Sequence, residues 1–407
     1  MADSKLMTLF RNKISKSKSN NILEAGFDVL YPSGFLTLDY LNGCIINVKS
    51  DSINMNYDSV GIMDGSSNLF IARSGAGKST LVVQIIGNLL RQFPDSVAYI
   101  DDIEGSLPIS RKEFLLGLPE EELRNRVFMR NSGITTENVY DQIRTIYDIK
   151  MENKSQYEYD TGKYDIYGNR IYKLIPTFYF IDSLALLMPN DVMEDDDIGS
   201  NMTGSSVAKQ NTALIKKISQ LLKAANIILF TINHILDDIQ LGFIPKPQQI
   251  AGLKQGERIP GGRTMLYLAN NMFRLDEKSV LKEAEGYGVN GSVVDITIVK
   301  SRTNASRRSV PLIFDKSNGA FDNVLSILHF LKTEGLIQGA GKSLYFECNP
   351  NAKFSMKGFK EQLNSDQELQ QAFSITTKQA VQRMLADTKV QEIEQEAFDI
   401  NKSILSI

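Results

Sequence analysis

Residues 68–86 read NLFIARSGAGKSTLVVQII. The apolar run Leu69-Phe70-Ile71 predicts a buried strand, and Leu81, Val82, Ile85 and Leu89 recur at helical spacing. Between them lies Ala72-Arg73-Ser74-Gly75-Ala76-Gly77-Lys78-Ser79-Thr80. Strand, glycine loop and helix start are the setting of a phosphate-binding loop. The glycines let consecutive backbone N–H groups turn inward on a polyphosphate beside the positive end of a helix. Ser74 to Thr80 would form the cradle, with Lys78 reaching the outer phosphates and Ser79, or Thr80, holding Mg²⁺. Ala72 stands where the usual pattern has its first glycine.

A chain of 407 residues, 42% hydrophobic and 23% charged, has the composition of a soluble globular protein of one to three domains. A formal net charge of −3 gives no global basic field, so any nucleic-acid site must be a local patch. Cys44 and Cys348 lie far apart without metal-ligand spacing and read as reduced, structural residues. No stretch is long and apolar enough for a membrane, and the polar N-terminus lacks an apolar signal core, so a cytoplasmic protein is expected.

Residues 2–17 predict a short amphipathic helix carrying Leu6, Leu9, Phe10 and Ile14, on a Lys/Ser-rich linker. Residues 27–48, with Phe35-Leu36-Thr37-Leu38-Asp39, read as short strands and turns. Strands are predicted at Val97–Ile100, Val127–Met129, Thr177–Ile181, Asn226–Ile232, Met272–Leu275, Ser292–Val299 and Val310–Phe314. Helices are predicted at 138–149, 207–225, 263–269, 321–336 and within 356–400. Residues 150–173 form a tyrosine-rich insertion with a hairpin turn at Tyr167-Gly168-Asn169-Arg170. Its tyrosines are expected to pack across the hairpin rather than stack on bases.

Asp101-Asp102-Ile103-Glu104 closes one strand and Asp182-Ser183 another. An Asp that ends an apolar strand downstream of a phosphate loop is placed to orient Mg²⁺. Strands alternating with helices predict an α/β fold, a mostly parallel twisted sheet flanked by helices.

The ordered set resembles the RecA family of recombinases, most closely its phage UvsX-type branch, over residues 27 to 336. The carriers are Phe35–Asp39, Gly77-Lys78-Ser79, Asp102-Ile103-Glu104 and Ile181-Asp182-Ser183-Leu184-Ala185-Leu186. Thr231-Ile232-Asn233-His234, Pro260-Gly261-Gly262 and Val299-Lys300-Ser301-Arg302 complete it. The resemblance implies a RecA-like P-loop NTPase core at 27–336, an N-terminal oligomerisation segment at 1–26, and a C-terminal α+β module and tail at 337–407. It implies Glu104 as activator of the attacking water, with Asp102 as the alternative. It implies His234 as the γ-phosphate sensor, and Lys300 and Arg302 as cations presented to the neighbouring subunit's ATP.

DNA contacts would come from loops 188–206 and 235–262, with Met202 as the candidate apolar wedge. Lys209 and Lys216 share a helix face, Lys246, Lys254, Arg258 and Arg263 supply charge, and Gly261 and Gly262 allow close phosphate approach. The acidic run Glu194 to Asp197 sits close to that DNA path, where it would face away or weaken binding until a partner covers it, and at Ser110 no aromatic is present to stack on adenine. His329, on an apolar helix, reads as structural.

The implied activity is a DNA-dependent ATPase, using ATP and Mg²⁺, that forms head-to-tail filaments on single-stranded DNA. It would pair that strand with homologous duplex DNA in recombination, repair and recombination-dependent replication, alongside single-strand-binding and mediator proteins. The alternatives are a hexameric replicative DNA helicase of the same superfamily, whose P-loop also often begins with Ala-Arg, and a non-catalytic recombination mediator.

Overall fold

The computed structural model describes residues 27–50, 52–105, 107–194, 203–237, 252–260, 266, 268–282, 286–304 and 306–386. The expected helix at 2–17, Met202, Lys246, Gly261, Gly262, Arg263, most of the acidic run and the tail beyond 386 lie outside them.

Nine strands form the central sheet: β1 Ser67–Ala72, β2 Val97–Asp102, β3 Val127–Arg130, β4 Thr177–Asp182, β5 Ile227–His234, β6 Asn271–Leu281, β7 Gly291–Lys300, β8 Arg308–Asp315 and β9 Ala320–Asp322. Their order is β9-β8-β7-β6-β1-β5-β4-β2-β3. The six strands from β6 to β3 are parallel, and β7, β8 and β9 add antiparallel at one edge. The fold is α/β, as expected.

The inner parallel strands β1, β4 and β5 are buried on both faces, which is why they read as continuous apolar runs rather than alternating ones. Their side chains still alternate between two cores. Phe70, Phe178, Phe180 and Phe230 point to one, with helix α2 (Lys78–Gln92) packed on it. Leu69, Ile71, Tyr179, Ile181 and Leu229 point to the other, against helices α4 (Thr136–Glu152) and α5 (Thr203–Ala224). Each fully buried side chain of this size stabilises by roughly 1.5–3 kcal/mol. Two shorter helices are α1, Leu36–Leu41, and α3, Ile109–Leu116.

Several local expectations need correction. Residues 36–41 are helical, because Phe35, Leu38 and Leu41 meet the core at helical spacing while Asp39 folds back to accept the Ser33 N–H at 2.7 Å. Helix α6 spans Asn323–Thr333 rather than starting at 321: Ala320–Asp322 pairs with β8, and the Asp322 side chain caps the helix at Leu325 N. Helix α5 begins at Thr203 instead of Val207, and residues 190–193 of the expected loop form a short helix. β6 runs on to Leu281, since residues 276–281 pair with β7 as a ribbon exposed on both faces of β6. The 235–262 stretch is not loop throughout: Leu236–Asp237 pairs antiparallel with Glu257–Arg258.

The tyrosine-rich insertion is a hairpin, Glu158–Tyr164 against Arg170–Leu174. Tyr159 hydrogen-bonds Tyr31, whereas Tyr167 and Tyr172 remain exposed. After α6, a three-stranded sheet at 337–354 and the helices Phe359–Ser365 and Gln367–Ala386 join the main core through Phe346, Phe354, Phe359 and Phe373. Both cysteines are free, and His329 is tied to the Tyr287 hydroxyl. Among the described residues, no helix is long and apolar enough to cross a membrane.

Candidate active site

The loop Arg73–Gly77 joins the C-terminal end of β1 to α2. Gly77, the residue before the helix, has φ +85°, and a Cβ there would lie 2.9 Å from the Phe321 ring. Both facts require glycine. The first N–H groups of α2 point into the loop, as at any helix start. Ala76 and Thr80 are nearly buried, while Ser74 and Gly75 are exposed.

The Lys78 side chain is 5% exposed and folds back over its own loop. Its ammonium lies 3.2 Å from the Arg73 carbonyl, 3.4 Å from the Ala72 carbonyl and 3.4 Å from His234 Nδ1. Burial lowers its pKa, and Asp182 and Glu104 oppose that shift. An ammonium can only donate, so Nδ1 of His234 accepts and Nε2 carries the ring proton. Nε2 lies 3.1 Å from Glu104 Oε2 and donates to it.

Three carboxylates meet at the adjoining strand ends. Asp182 closes β4 beside its register partner Asp102 on β2. Its backbone carbonyl accepts from the N–H groups of Ile103 (2.7 Å) and Glu104 (3.0 Å), which fixes the turn after β2. The peptide bond from Asp182 to Ser183 is cis. Burial pushes the Asp182 carboxyl up to about 7; a hydrogen bond from Ser79 opposes this, and the charges of Asp102 and Glu104 add to it. Asp102 is occupied on both oxygens: Gly105 N–H donates to one at 2.8 Å and Lys112 Nζ to the other at 2.5 Å. Of the two carboxylates considered for activating water, Glu104 is the more open, its side chain 31% exposed against 2% for Asp102.

Among the described residues, no group of three or more His, Cys, Asp and Glu side chains forms a metal cage. Mg²⁺ ordinarily needs none, being held by one or two protein oxygens plus phosphate and water. Asp182 hydrogen-bonded to Ser79, a buried carboxyl pressed by two like charges, fits that role: a divalent cation there would relieve the repulsion. Such an ion would neutralise phosphate charge.

Lys300 and Arg302 are not brought to this cluster. Lys300 is level with Met272, and Met272 with Leu69, three residues before β1 delivers the loop. β7 runs antiparallel to β6, so the chain leaves Lys300 toward the N-terminal ends of the parallel strands, opposite the glycine loop. There Lys300 Nζ contacts the Leu266 carbonyl at 3.3 Å, and exposed Arg302 lines a cavity of about 400 Å³ with Asp28, Ser67 and Lys223. Lys209 and Lys216 are exposed on α5. Lys254 lies 3.5 Å from Asp276, and Arg258 donates to the Asp237 carbonyl at 3.4 Å.

Two participants escape the motif reading. Arg73 makes a bidentate pair with Asp237 at 2.6 and 3.2 Å, tying the glycine loop to the stem of the 235–262 segment. Glu257, on the paired strand of that stem, is held by Arg274 at 2.5 Å. Lys112 is the other; its only sequence signal is a charge on the buried face of α3, three residues before Leu115.

No protein-family model matches the chain, and no curated protein matches it at a significant level.

Proposed function

We propose that this protein is a RecA-like P-loop ATPase that assembles on single-stranded DNA and carries out homologous pairing and strand exchange. The observation that carries the nucleotide part is the convergence of Lys78, Ser79, Glu104, Asp182 and His234 at the C-terminal ends of β1, β2, β4 and β5. Ligands of open α/β sheets bind outside the carboxyl ends of the strands. In this reading the glycine loop and Lys78 grip the β- and γ-phosphates, Ser79 and Asp182 hold Mg²⁺, Glu104 accepts a proton from the attacking water, and His234 senses the γ-phosphate.

The DNA and filament parts rest on the family resemblance together with one geometric feature. Lys300 and Arg302 follow the N-terminal ends of the parallel strands, away from their own glycine loop, so the nucleotide they can serve is that of a head-to-tail neighbour. ATP at that seam would cement a filament, and its hydrolysis would loosen it. The test is ATP turnover with and without single-stranded DNA, with negative-stain imaging of the same samples. DNA-stimulated turnover and open helical filaments are expected. Closed rings that unwind duplex DNA would establish the helicase alternative, and nucleotide binding without turnover the mediator.

A further inference from the structure

We propose that Lys112 is a positioning residue for hydrolysis, holding the Glu104 turn in place through Asp102; this rests on the ATPase reading above. The turn after β2 is tethered at two points. Upstream, the Asp182 carbonyl accepts the N–H groups of Ile103 and Glu104. Downstream, Asp102 Oδ1 accepts the N–H of Gly105, the residue following Glu104. The second tether needs the Asp102 carboxylate in one rotamer, and Lys112 Nζ, 2.5 Å from Oδ2, fixes it.

The pair is almost solvent-free, with side chains 5% and 2% exposed. Removing one partner of such a pair strands the other's charge. Here Asp102 would lose its ammonium partner beside two more carboxylates, Asp182 and Glu104. Among the described residues, Lys78 from α2 and Lys112 from α3 are cations facing this group, with His234 from β5 reaching Glu104. Without Lys112, Asp102 has reason to turn away and release Gly105. Lys112 is itself held rigidly. Helix α3 packs so closely on α2 that a Cβ at Gly87 would lie 2.3 Å from the Leu116 carbonyl. The neighbouring Arg111 donates to the carbonyls of Asn318 (2.9 Å) and Gly319. The helix therefore braces the turn that carries Glu104 without touching substrate.

The experiment compares wild type, Lys112→Met and Lys112→Met/Asp102→Asn in the full chain, with Mg²⁺, ATP and single-stranded DNA. A displacement of a reacting group by about 1 Å costs on the order of 100-fold in rate. Lys112→Met should lower kcat by about that factor, with the Kd for a non-hydrolysable ATP analogue held within about threefold. The double variant removes the Asp102 charge while Asn still accepts the Gly105 N–H, so kcat should recover to within about tenfold of wild type. Hydrogen exchange of the peptide covering 103–105 should be faster in the single variant and near wild type in the double. A folded Lys112→Met protein with wild-type kcat, or a double variant no better than the single, overturns the proposal. If wild type turns over no ATP, the ATPase reading fails by itself. Exchange then decides the role of Lys112, and unchanged exchange at 103–105 rules it out.

Discussion

Nε2 of His234 lies 3.1 Å from Oε2 of Glu104, while Nδ1 of the same ring faces the Lys78 ammonium at 3.4 Å. One imidazole thus bridges the cation proposed to grip phosphate and the carboxylate proposed to activate water, from a strand that continues into the Leu236–Asp237 stem. On the proposed ATPase reading, a γ-phosphate arriving here would meet the Lys78 ammonium and the His234 ring together, and each could exchange its present contact for a bond to phosphate.

Glu104→Gln removes the proton acceptor and keeps the shape. Its kcat is expected to fall by about 10²–10⁴-fold with nucleotide affinity retained. His234→Gln supplies an amide that can both donate and accept, so it should keep most turnover; His234→Ala should lose up to about 100-fold. Steady-state kinetics on the three variants checks this, and an alanine variant as active as the glutamine one removes the bridging role.

Lys78→Ala should lose at least about 100-fold in turnover. Lys300→Ala/Arg302→Ala should lose about 10³-fold although both residues lie at the strand ends away from their own glycine loop. Mixing the two proteins is the sharper measurement. Each keeps what the other lacks, so seams pairing an intact glycine loop with intact cations should recover activity in the mixture. If the mixture stays as inactive as its components, the cations do not act in trans.

Gly87→Ala sets two effects against each other. In a helix interior alanine gains about 1 kcal/mol over glycine. Here its Cβ would lie 2.3 Å from the Leu116 backbone oxygen, which cannot swing aside as a side chain would. Overpacking of this kind costs about 1–3 kcal/mol, so net destabilisation is expected. Denaturant unfolding decides it, and a raised midpoint would falsify the close α2–α3 contact.

Asp39 is a pH-sensitive element of the core. Burial pushes its carboxyl up to about 7 against hydrogen bonds from Ser33 and Gly34. The folded chain keeps a proton that the unfolded chain releases in the ordinary carboxylate range. This contribution to stability is therefore complete below that range and is lost as pH rises through about 7. Asp39→Asn keeps an acceptor for the Ser33 N–H and should flatten the dependence. Thermal melts of both proteins between about pH 5 and pH 8 test it; parallel profiles would exclude Asp39 as the source.

Legibility followed range along the chain. The β1 strand, the glycine loop and the start of α2 are written within residues 68–86, since strand period, glycine conformation and helix period each depend on a few neighbours. Phe35 to Asp39 was misread because a six-residue helix has too few turns for its period to stand out from alternation. The stem at 236–237 and 257–258 could not be seen, because two-residue strands carry no pattern of their own and form only by pairing across a long excursion.

By itself, the sequence determined the α/β class, the strand ends that bear Asp102 and Asp182, and the glycine loop. Tertiary structure alone decided that residues 78, 104, 182 and 234 meet, that Asp102 is taken by Lys112, and that Lys300 lies level with Leu69 away from the loop. The reason is that strand order and register are set by how nine strands and their helices share two cores. That balance is struck over the whole chain, and no local window contains it.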